Sequence, residues 1–257
     1  MSSVILEIKG PVAVITLNRP EKLNAFNREM ALLLQSILEE CKNESIRCIY
    51  LTGMGKAFSA GQDLAEVTDP DGPGMAKILS EHYNPLITLI RSLEKPVVAA
   101  VNGVAAGAGA NLALCCDLVV AAASASFIQA FSKIGLVPDS GGTFFLPRLI
   151  GFQKASALMM LGEKVNADEA AQMGMIYKVI DDKNFAEASM AIAEYLASMP
   201  TQGLSYTKQL LNDTFDSSLS KQLKKEDMYQ QKAALTADFK EGVEAFTNRR
   251  APVFTGR

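Results

Sequence analysis

Tryptophan is absent from this 257-residue chain, and histidine occurs once, as His82. One histidine cannot build a multi-histidine metal site or the paired ligands of an HExxH helix. Cysteine is scarce: Cys41, Cys48, Cys115 and Cys116, with no CxxC spacing and the last two adjacent inside an apolar run. That usage predicts buried, reduced thiols and no metal site. Basic charge is not in excess, with 25 Lys and Arg against 28 Asp and Glu for a net of −3. A nucleic-acid binder is therefore not expected. The longest apolar region, Val97 to Ala123, is broken by Asn102, Asn111, Asp117 and several glycines. It falls short of the ~18 uninterrupted apolar residues of a membrane span, so no membrane partner is expected. The opening Met1-Ser2-Ser3-Val4 lacks the basic-then-apolar layout of a signal peptide, and Thr255-Gly256-Arg257 spells no targeting address. A cytoplasmic location is the expectation.

Nucleotide fingerprints are missing as well. Gly107-Ala108-Gly109-Ala110-Asn111-Leu112 has leucine where the third glycine of GxGxxG belongs, and Gly53-Met54-Gly55-Lys56-Ala57-Phe58 has phenylalanine there. Neither a GxxxxGK[ST] phosphate loop nor a GxSxG nucleophile elbow occurs. What is present is a folding chain, 49% hydrophobic and 21% charged. At this length about 70–75% of the unfolded surface can be buried, enough for a core without disulfide or metal staples.

Two β-like runs, Val4–Lys9 and Val12–Leu17, flank Gly10-Pro11 and predict a hairpin. Asn27 can cap a helix whose apolar positions Met30, Leu33, Leu34, Ile37, Leu38 and Cys41 follow the helical period. A strand is predicted over Ile46–Leu51, a flexible loop over Thr68–Gly74, and a helix from Met75 to Leu93. Val97–Val101 is a continuous apolar run, as expected of a strand covered on both faces. Glycine-rich Gly103–Gly109 flows into a small-residue helix, and Asp117–Ala122 is another strand. The alternation predicts an α/β fold with crossover connections. Beyond Gly151 the pattern is mostly helical, with one short strand near Met175–Ile180.

Two turns run from strands towards helix starts, Phe58-Ser59-Ala60-Gly61-Gln62-Asp63-Leu64 and Val104-Ala105-Ala106-Gly107-Ala108-Gly109-Ala110. Helix starts carry backbone N–H groups without intrahelical partners, and small residues let a ligand carbonyl approach them. Two such groups converging on one oxygen would form an oxyanion hole. On spacing alone, tight helix packing is the favoured explanation of the same small residues.

Three segments together are more specific. Ala57–Leu64 (AFSAGQDL), Lys95–Gly103 (KPVVAAVNG) and Gly135–Gly142 (GLVPDSGG) resemble the crotonase, or enoyl-CoA hydratase/isomerase, superfamily, in matching order from Val4 to the C-terminus. Within it, Val137–Thr143 and the ending Pro252-Val253-Phe254-Thr255-Gly256 look most like the ring-1,2-epoxyphenylacetyl-CoA isomerases of aerobic phenylacetate breakdown. The resemblance implies an α/β, crotonase-type spiral of ββα units with a helical C-terminal region. It divides the chain into a catalytic core, 1–200, and a helical oligomerisation region, 201–257. It implies a small-molecule acyl-CoA substrate, no cofactor besides that coenzyme A, no metal, and a homotrimer or homohexamer. By position, the thioester oxygen would meet the N–H groups of Gln62 and Ala108, stabilising an enolate. The nucleotide and pantetheine would lie along Lys22, Leu23 and Ala25, and along Ala60, Asp63 and Leu64. Lys240, Arg249 and Arg250 are phosphate candidates, or simply solvated charges.

The departures from the family pattern bear on the reaction. Hydratases of the superfamily use two glutamates; here those positions hold Asn111 and Phe131, neither able to accept a proton at neutral pH. Asp139 remains as a lone acid/base, suited to a double-bond shift or to opening a ring epoxide, and competing with a role as cap of the helix after Gly141. A hydratase with Asp139 alone positioning water, and a non-catalytic CoA-ester-binding scaffold, are the alternatives. His82 is expected at a surface or subunit contact, and Asp117 as an organiser of the junction before its strand. Asp63 is either ligand-facing or pins its own helix start. Lys221, Lys224 and Lys225 form a solvated face. Phe26, Phe131, Phe144 and Phe145 line an acyl pocket or pack the core. Phe215, Leu219, Leu223 and Met228 either face a neighbouring subunit or pack within the chain.

Overall fold

The hairpin forms as expected: β1 (Val4–Lys9) and β2 (Val12–Leu17) pair antiparallel, Val4 opposite Leu17 and Lys9 opposite Val12. This computed structural model describes residues 2–257. Asn27 caps α1 (Arg28–Glu40), accepting from the Met30 N–H at 3.0 Å, and Met30, Ala31, Leu34, Ile37 and Leu38 form its buried face. β3 (Cys48–Gly53) starts two residues later than expected. Ile46 is still in the turn that closes α1, its N–H bound to the Asn43 carbonyl at 3.1 Å.

Three repeats then follow one plan, a strand to a large sheet, a strand to a small one, then helix. The first is β3, β4 (Ala57–Ser59) and α2 (Leu64–Thr68). A turn closed by Asp69, whose carboxylate accepts the Asp71 N–H at 3.0 Å, occupies the expected flexible loop. It leads to α3 (Gly74–Lys77), a π-helical turn over Ile78–Tyr83, and α4 (Asn84–Ser92). The second repeat is β5 (Val97–Val101), β6 (Val104–Ala106) and α5 (Ala108–Leu114). The third is β7 (Leu118–Ala122), β8 (Ser126–Ile128), a 3₁₀ turn at Ala130–Ile134 and α6 (Gly142–Ile150). Next come α7 (Phe152–Leu161), β9 (Lys164–Asn166), α8 (Ala167–Gln172), β10 (Lys178–Ile180) and α9 (Phe185–Ser198). The chain finishes with α10 (Thr201–Asp213), α11 (Leu219–Ala234) and α12 (Ala237–Thr247).

The large sheet runs β1-β2-β3-β5-β7-β10, parallel except for the hairpin, and the small sheet runs β4-β6-β8-β9. This is a spiral of ββα units with a helical C-terminal region. β5 is wholly buried at its centre, as its unbroken apolar run requires. β9, pairing antiparallel with β8, was not foreseen, and the strand expected near Met175–Ile180 begins only at Lys178. The single helix expected over Met75–Leu93 is helical throughout but carries the π turn. Pro85 has no N–H to give the Glu81 carbonyl; Gln35 Nε2 donates to that oxygen instead, at 2.7 Å, and to the His82 carbonyl at 3.1 Å.

Asp117 organises its junction as expected. It accepts the Val97 N–H at 2.8 Å and pairs with Arg91 at 2.9 Å and with the buried Lys208 of α10 at 2.8 Å. Lys225 of the expected solvated face pairs with Asp213 at 2.6 Å. All four cysteines are free and buried, and burial pushes the Cys41 thiol up to about 11 and the Cys48 thiol up to about 12. Among the described residues, no helix is long and apolar enough to cross a membrane.

Candidate active site

The two glycine turns meet. Gly61 has φ +91°, and a Cβ there would lie 2.8 Å from the Ala106 carbonyl oxygen and 3.3 Å from the Ala108 nitrogen. Only glycine lets the turn after β4 approach the start of α5 this closely. Gln62 is not at a helix start, contrary to the reading of its segment: it forms a lone parallel bridge with Phe26, and α2 begins two residues later. Asp63 caps that helix, accepting the Ala65 N–H at 3.1 Å, and pairs with Arg19 at 3.0 Å. Of its two readings, pinning the helix start is the one its carboxylate fulfils. Ala108 is the first residue of α5, with Gly107 before it as cap. Neither the Gln62 nor the Ala108 N–H has an acceptor among the described residues.

Both residues line a cavity of about 210 Å³, together with Ala60, Leu64 and Asp139. Its walls are otherwise mainly apolar, Val67, Met75, Ile78, Phe131, Ile134 and Leu136 among them, and Asp139 is the one carboxylate among its lining residues. Asp139 is half-buried; burial pushes its carboxyl pKa up, and the Ser140 hydroxyl, donating to Oδ1 at 2.8 Å, partly offsets this. Asp139 does not cap the following helix with its side chain. α6 starts at Gly142, its cap is Gly141, and no side chain serves it. Neither of the residues expected in place of the hydratase glutamates brings a carboxylate to the cavity. Asn111 is fully buried, its amide on the Asp139 carbonyl, and Phe131 is cavity wall.

Lys22, Leu23 and Ala25 flank the cavity without lining it. Leu23, at φ +51°, accepts the Ala60 N–H on its carbonyl at 2.9 Å, and the Phe26 N–H bonds the Gly61 carbonyl at 2.7 Å. The loop is thereby stitched to the turn that carries Gln62. Lys240, Arg249 and Arg250 are exposed and do not line the cavity, and Arg250 pairs with Glu241 at 2.5 Å. Phe26 packs in the core against Tyr83, ring centroids 5.9 Å apart. Phe145 packs partly against the core, and Phe144 is exposed beneath the Arg148 guanidinium.

Tyr83 was not singled out in the sequence. It closes the π turn, is fully buried, faces the cavity, and donates its hydroxyl to Gln62 Oε1 at 2.9 Å. Gln62 Nε2 donates in turn to Glu66 at 2.8 Å, and Glu66 accepts the Arg28 N–H at 2.7 Å. Burial first, then the Asp139 and Glu66 charges, holds the Tyr83 phenol well above its ordinary pKa, so it stays a donor. Tyr83 shares the helical period of Leu79, Leu86 and Ile90, but nothing in that pattern names a partner for its hydroxyl. His82 departs from expectation: it is buried beside Arg28, Nε2 3.2 Å from Nη1, and burial pulls its pKa down.

The enoyl-CoA hydratase/isomerase family profile matches residues 7–257. The chain is 46% identical over 261 aligned positions to a protein of Escherichia coli (strain K12) named 1,2-epoxyphenylacetyl-CoA isomerase, covering 100% of both. It is 45% identical to a Rhodobacter capsulatus protein carrying an enoyl-CoA hydratase name, covering 98% of this chain and 97% of that one. Among solved structures, an enoyl-CoA hydratase of Bacillus anthracis matches with a TM-score of 0.91 at 31% identity, over 99% of this chain and 100% of that one. Spiral, cavity and sequence therefore agree: this chain is an enzyme that belongs to the enoyl-CoA hydratase/isomerase family.

Proposed function

We propose that the protein is an acyl-CoA isomerase working through a thioester enolate. The observation that carries this reading is a single carboxylate, Asp139, in a mainly apolar cavity that two unpartnered N–H groups also face. The thioester oxygen would accept from Gln62 and Ala108. Asp139 would take a proton from the α-carbon, the electron pair passing to that oxygen, where a fixed donor is worth about 2.7–4 kcal/mol. The same carboxyl would return the proton two carbons along, so a 3-enoyl thioester becomes a 2-enoyl thioester with no net change in atoms or charge. A carboxyl pKa raised by burial suits a group that must both take and give a proton near neutrality. The coenzyme A end would run past Lys22, Leu23, Ala25, Ala60, Asp63 and Leu64, and no cofactor beyond the substrate's own coenzyme A enters the scheme. The name of the Escherichia coli relative favours an aromatic-derived acyl group bearing a ring epoxide, which the same enolate chemistry could open.

The test pairs two assays on one preparation, isomerisation of a 3-enoyl-CoA and hydration of crotonyl-CoA. Isomerisation well above hydration is expected, and Asp139→Asn should lower it by about 10²–10⁴-fold. Fast hydration with undetectable isomerisation would defeat the reading in favour of a hydratase. Binding of CoA esters with turnover of neither substrate would point to a scaffold. We also infer a homotrimer or homohexamer built on the C-terminal helices.

A further inference from the structure

Asp139 opens a tight turn that is held both by its own bonds and from α5. Ser140, which follows it, is buried and has φ +51°, a left-handed conformation that a residue with a Cβ adopts only under constraint. Gly141 continues at φ +72°. The constraint from outside the turn comes from α5. Asn111 Nδ2 donates to the Asp139 carbonyl at 2.8 Å, and the same carbonyl accepts the Gly142 N–H at 2.8 Å. The fit is tight, since a Cβ built on Gly142 would fall 2.3 Å from Asn111 Nδ2. The amide is itself fixed: Gln129 Nε2 donates to Asn111 Oδ1 at 2.8 Å, so the nitrogen of Asn111 can only face the Asp139 carbonyl. Gln129 is buried, and its own Oε1 has no hydrogen-bond partner among the described residues, a cost that packing alone gives no reason to retain.

Asn111 lies three residues after Ala108 on the same short helix. One side chain thus links the element that presents an N–H to the thioester oxygen with the turn that presents the carboxylate. Resting on the reading of Asp139 as the proton shuttle, we infer that Asn111 is a positioning residue, registering Asp139 to the Ala108 N–H, with Gln129 fixing its amide. The side chain that cannot carry a proton sets the distance over which another carries it. A glutamate at 111 would be one methylene longer against Gly142 and would lack the donor. Asn111→Glu is therefore expected to lose isomerase activity without gaining hydration.

The experiment compares Asn111→Ala and Gln129→Leu, each alone and combined with Asp139→Asn. It reads kcat on a 3-enoyl-CoA, the Kd of butyryl-CoA and the melting curve. Misplacing the base should lower kcat by about 10- to 100-fold in Asn111→Ala, and by less in Gln129→Leu, while Kd stays within about threefold. In the Asp139→Asn background neither substitution should lower the residual rate by more than about twofold, because the group they position is already gone. A merely structural role would slow both backgrounds equally, and that result overturns the inference. So does wild-type kcat in folded Asn111→Ala; if that variant fails to fold, unchanged kcat in Gln129→Leu has the same force. Wild-type turnover by Asp139→Asn would instead remove the proton-shuttle reading and this inference with it. Inactive Asp139→Asn beside fully active Asn111→Ala removes the inference alone.

Discussion

In the proposed reaction, Asp139 serves turnover at a cost to stability. Burial raises its carboxyl pKa in the folded chain above the unfolded value, so the folded state binds more protons between the two values. Stability then falls as pH rises through that interval and stays lower above it. Asp139→Asn removes the penalty while keeping the shape. Its melting temperature should exceed that of the wild type at pH 7–8, and the two should converge as pH falls below the unfolded carboxyl value. Melting curves from pH 3 to 8 check this; a variant less stable at pH 8 would mean that the carboxylate has a stabilising partner in the fold. Gly61 carries the other half of the site. Gly61→Ala combines a left-handed φ with a Cβ 2.8 Å from the Ala106 oxygen, and should cost at least about 1–3 kcal/mol with a large loss of turnover. Denaturant titration beside the isomerase assay measures both. That Gln62, Ala108 and Asp139 would line one cavity was legible because two of the three resembling segments carry Gln62 and Asp139, and the glycine turn after the remaining one carries Ala108. Tyr83, Gln129 and the use of Asn111 were not. Their partners lie 18 to 28 positions away, and nothing in a linear pattern announces such contacts.

Elements with a strong period were legible in type and nearly in extent. The β1–β2 hairpin, α1 with its Asn27 cap and the wholly apolar β5 each have one physical cause that acts within the segment. β9 was illegible because three residues, Lys164–Asn166, with one buried valine between two exposed neighbours, make no period. The π turn was illegible for another reason. Pro85 announces a lost hydrogen bond but not who replaces it, and the replacement is Gln35, in a different helix. In that turn the Asn84 N–H reaches back to the Leu79 carbonyl and Tyr83 closes it, facing the cavity beside Met75 and Ile78. Tyr83→Phe keeps the ring against Phe26 but strips the donor from Gln62 Oε1. A part-buried amide oxygen left unpaired should cost about 1–3 kcal/mol. With the Gln62 side chain released from one end, kcat should fall by about tenfold, on the order of one hydrogen bond's energy. Urea denaturation and the isomerase assay report the two effects. If both match the wild type, the π turn has no part in holding Gln62.

The whole chain alternates between two sheets because each repeat must bury a strand on both sides, and that logic was visible as strand–helix alternation. The order of strands in each sheet was not. The small sheet is built from the three-residue strands β4, β6 and β8, too short to show a period that would assign them to either sheet. The last three helices pose a problem of scale. α11 is sixteen residues long and buries none of them within its own chain. Phe215, Leu219, Leu223 and Met228 all stay largely uncovered by their own chain: Leu219 is 75% exposed and Phe215, beneath the Arg148 guanidinium, 58%. Leu235 and Phe246 add to the same region at 80% and 87%. Yet α11 is held on α10, Gln222 donating to the Leu210 carbonyl at 3.1 Å, Tyr229 to Gln209 and Lys225 pairing with Asp213, while Lys208 of α10 reaches Asp117. A rigidly placed helix with an uncovered apolar side is what a subunit contact leaves when one chain is viewed alone. Leu219 and Leu223, one turn apart, should therefore be covered in a trimer or hexamer. Leu219→Lys with Leu223→Lys should dissociate it and leave the isolated chain less stable. Burial of a leucine side chain is worth about 1.5–3 kcal/mol, so two per subunit, repeated around a ring, suffice to decide assembly. Sedimentation velocity at micromolar concentration reads the outcome. A stable wild-type monomer would refute the assembly, whereas a trimer unaffected by the double substitution would move the interface off α11.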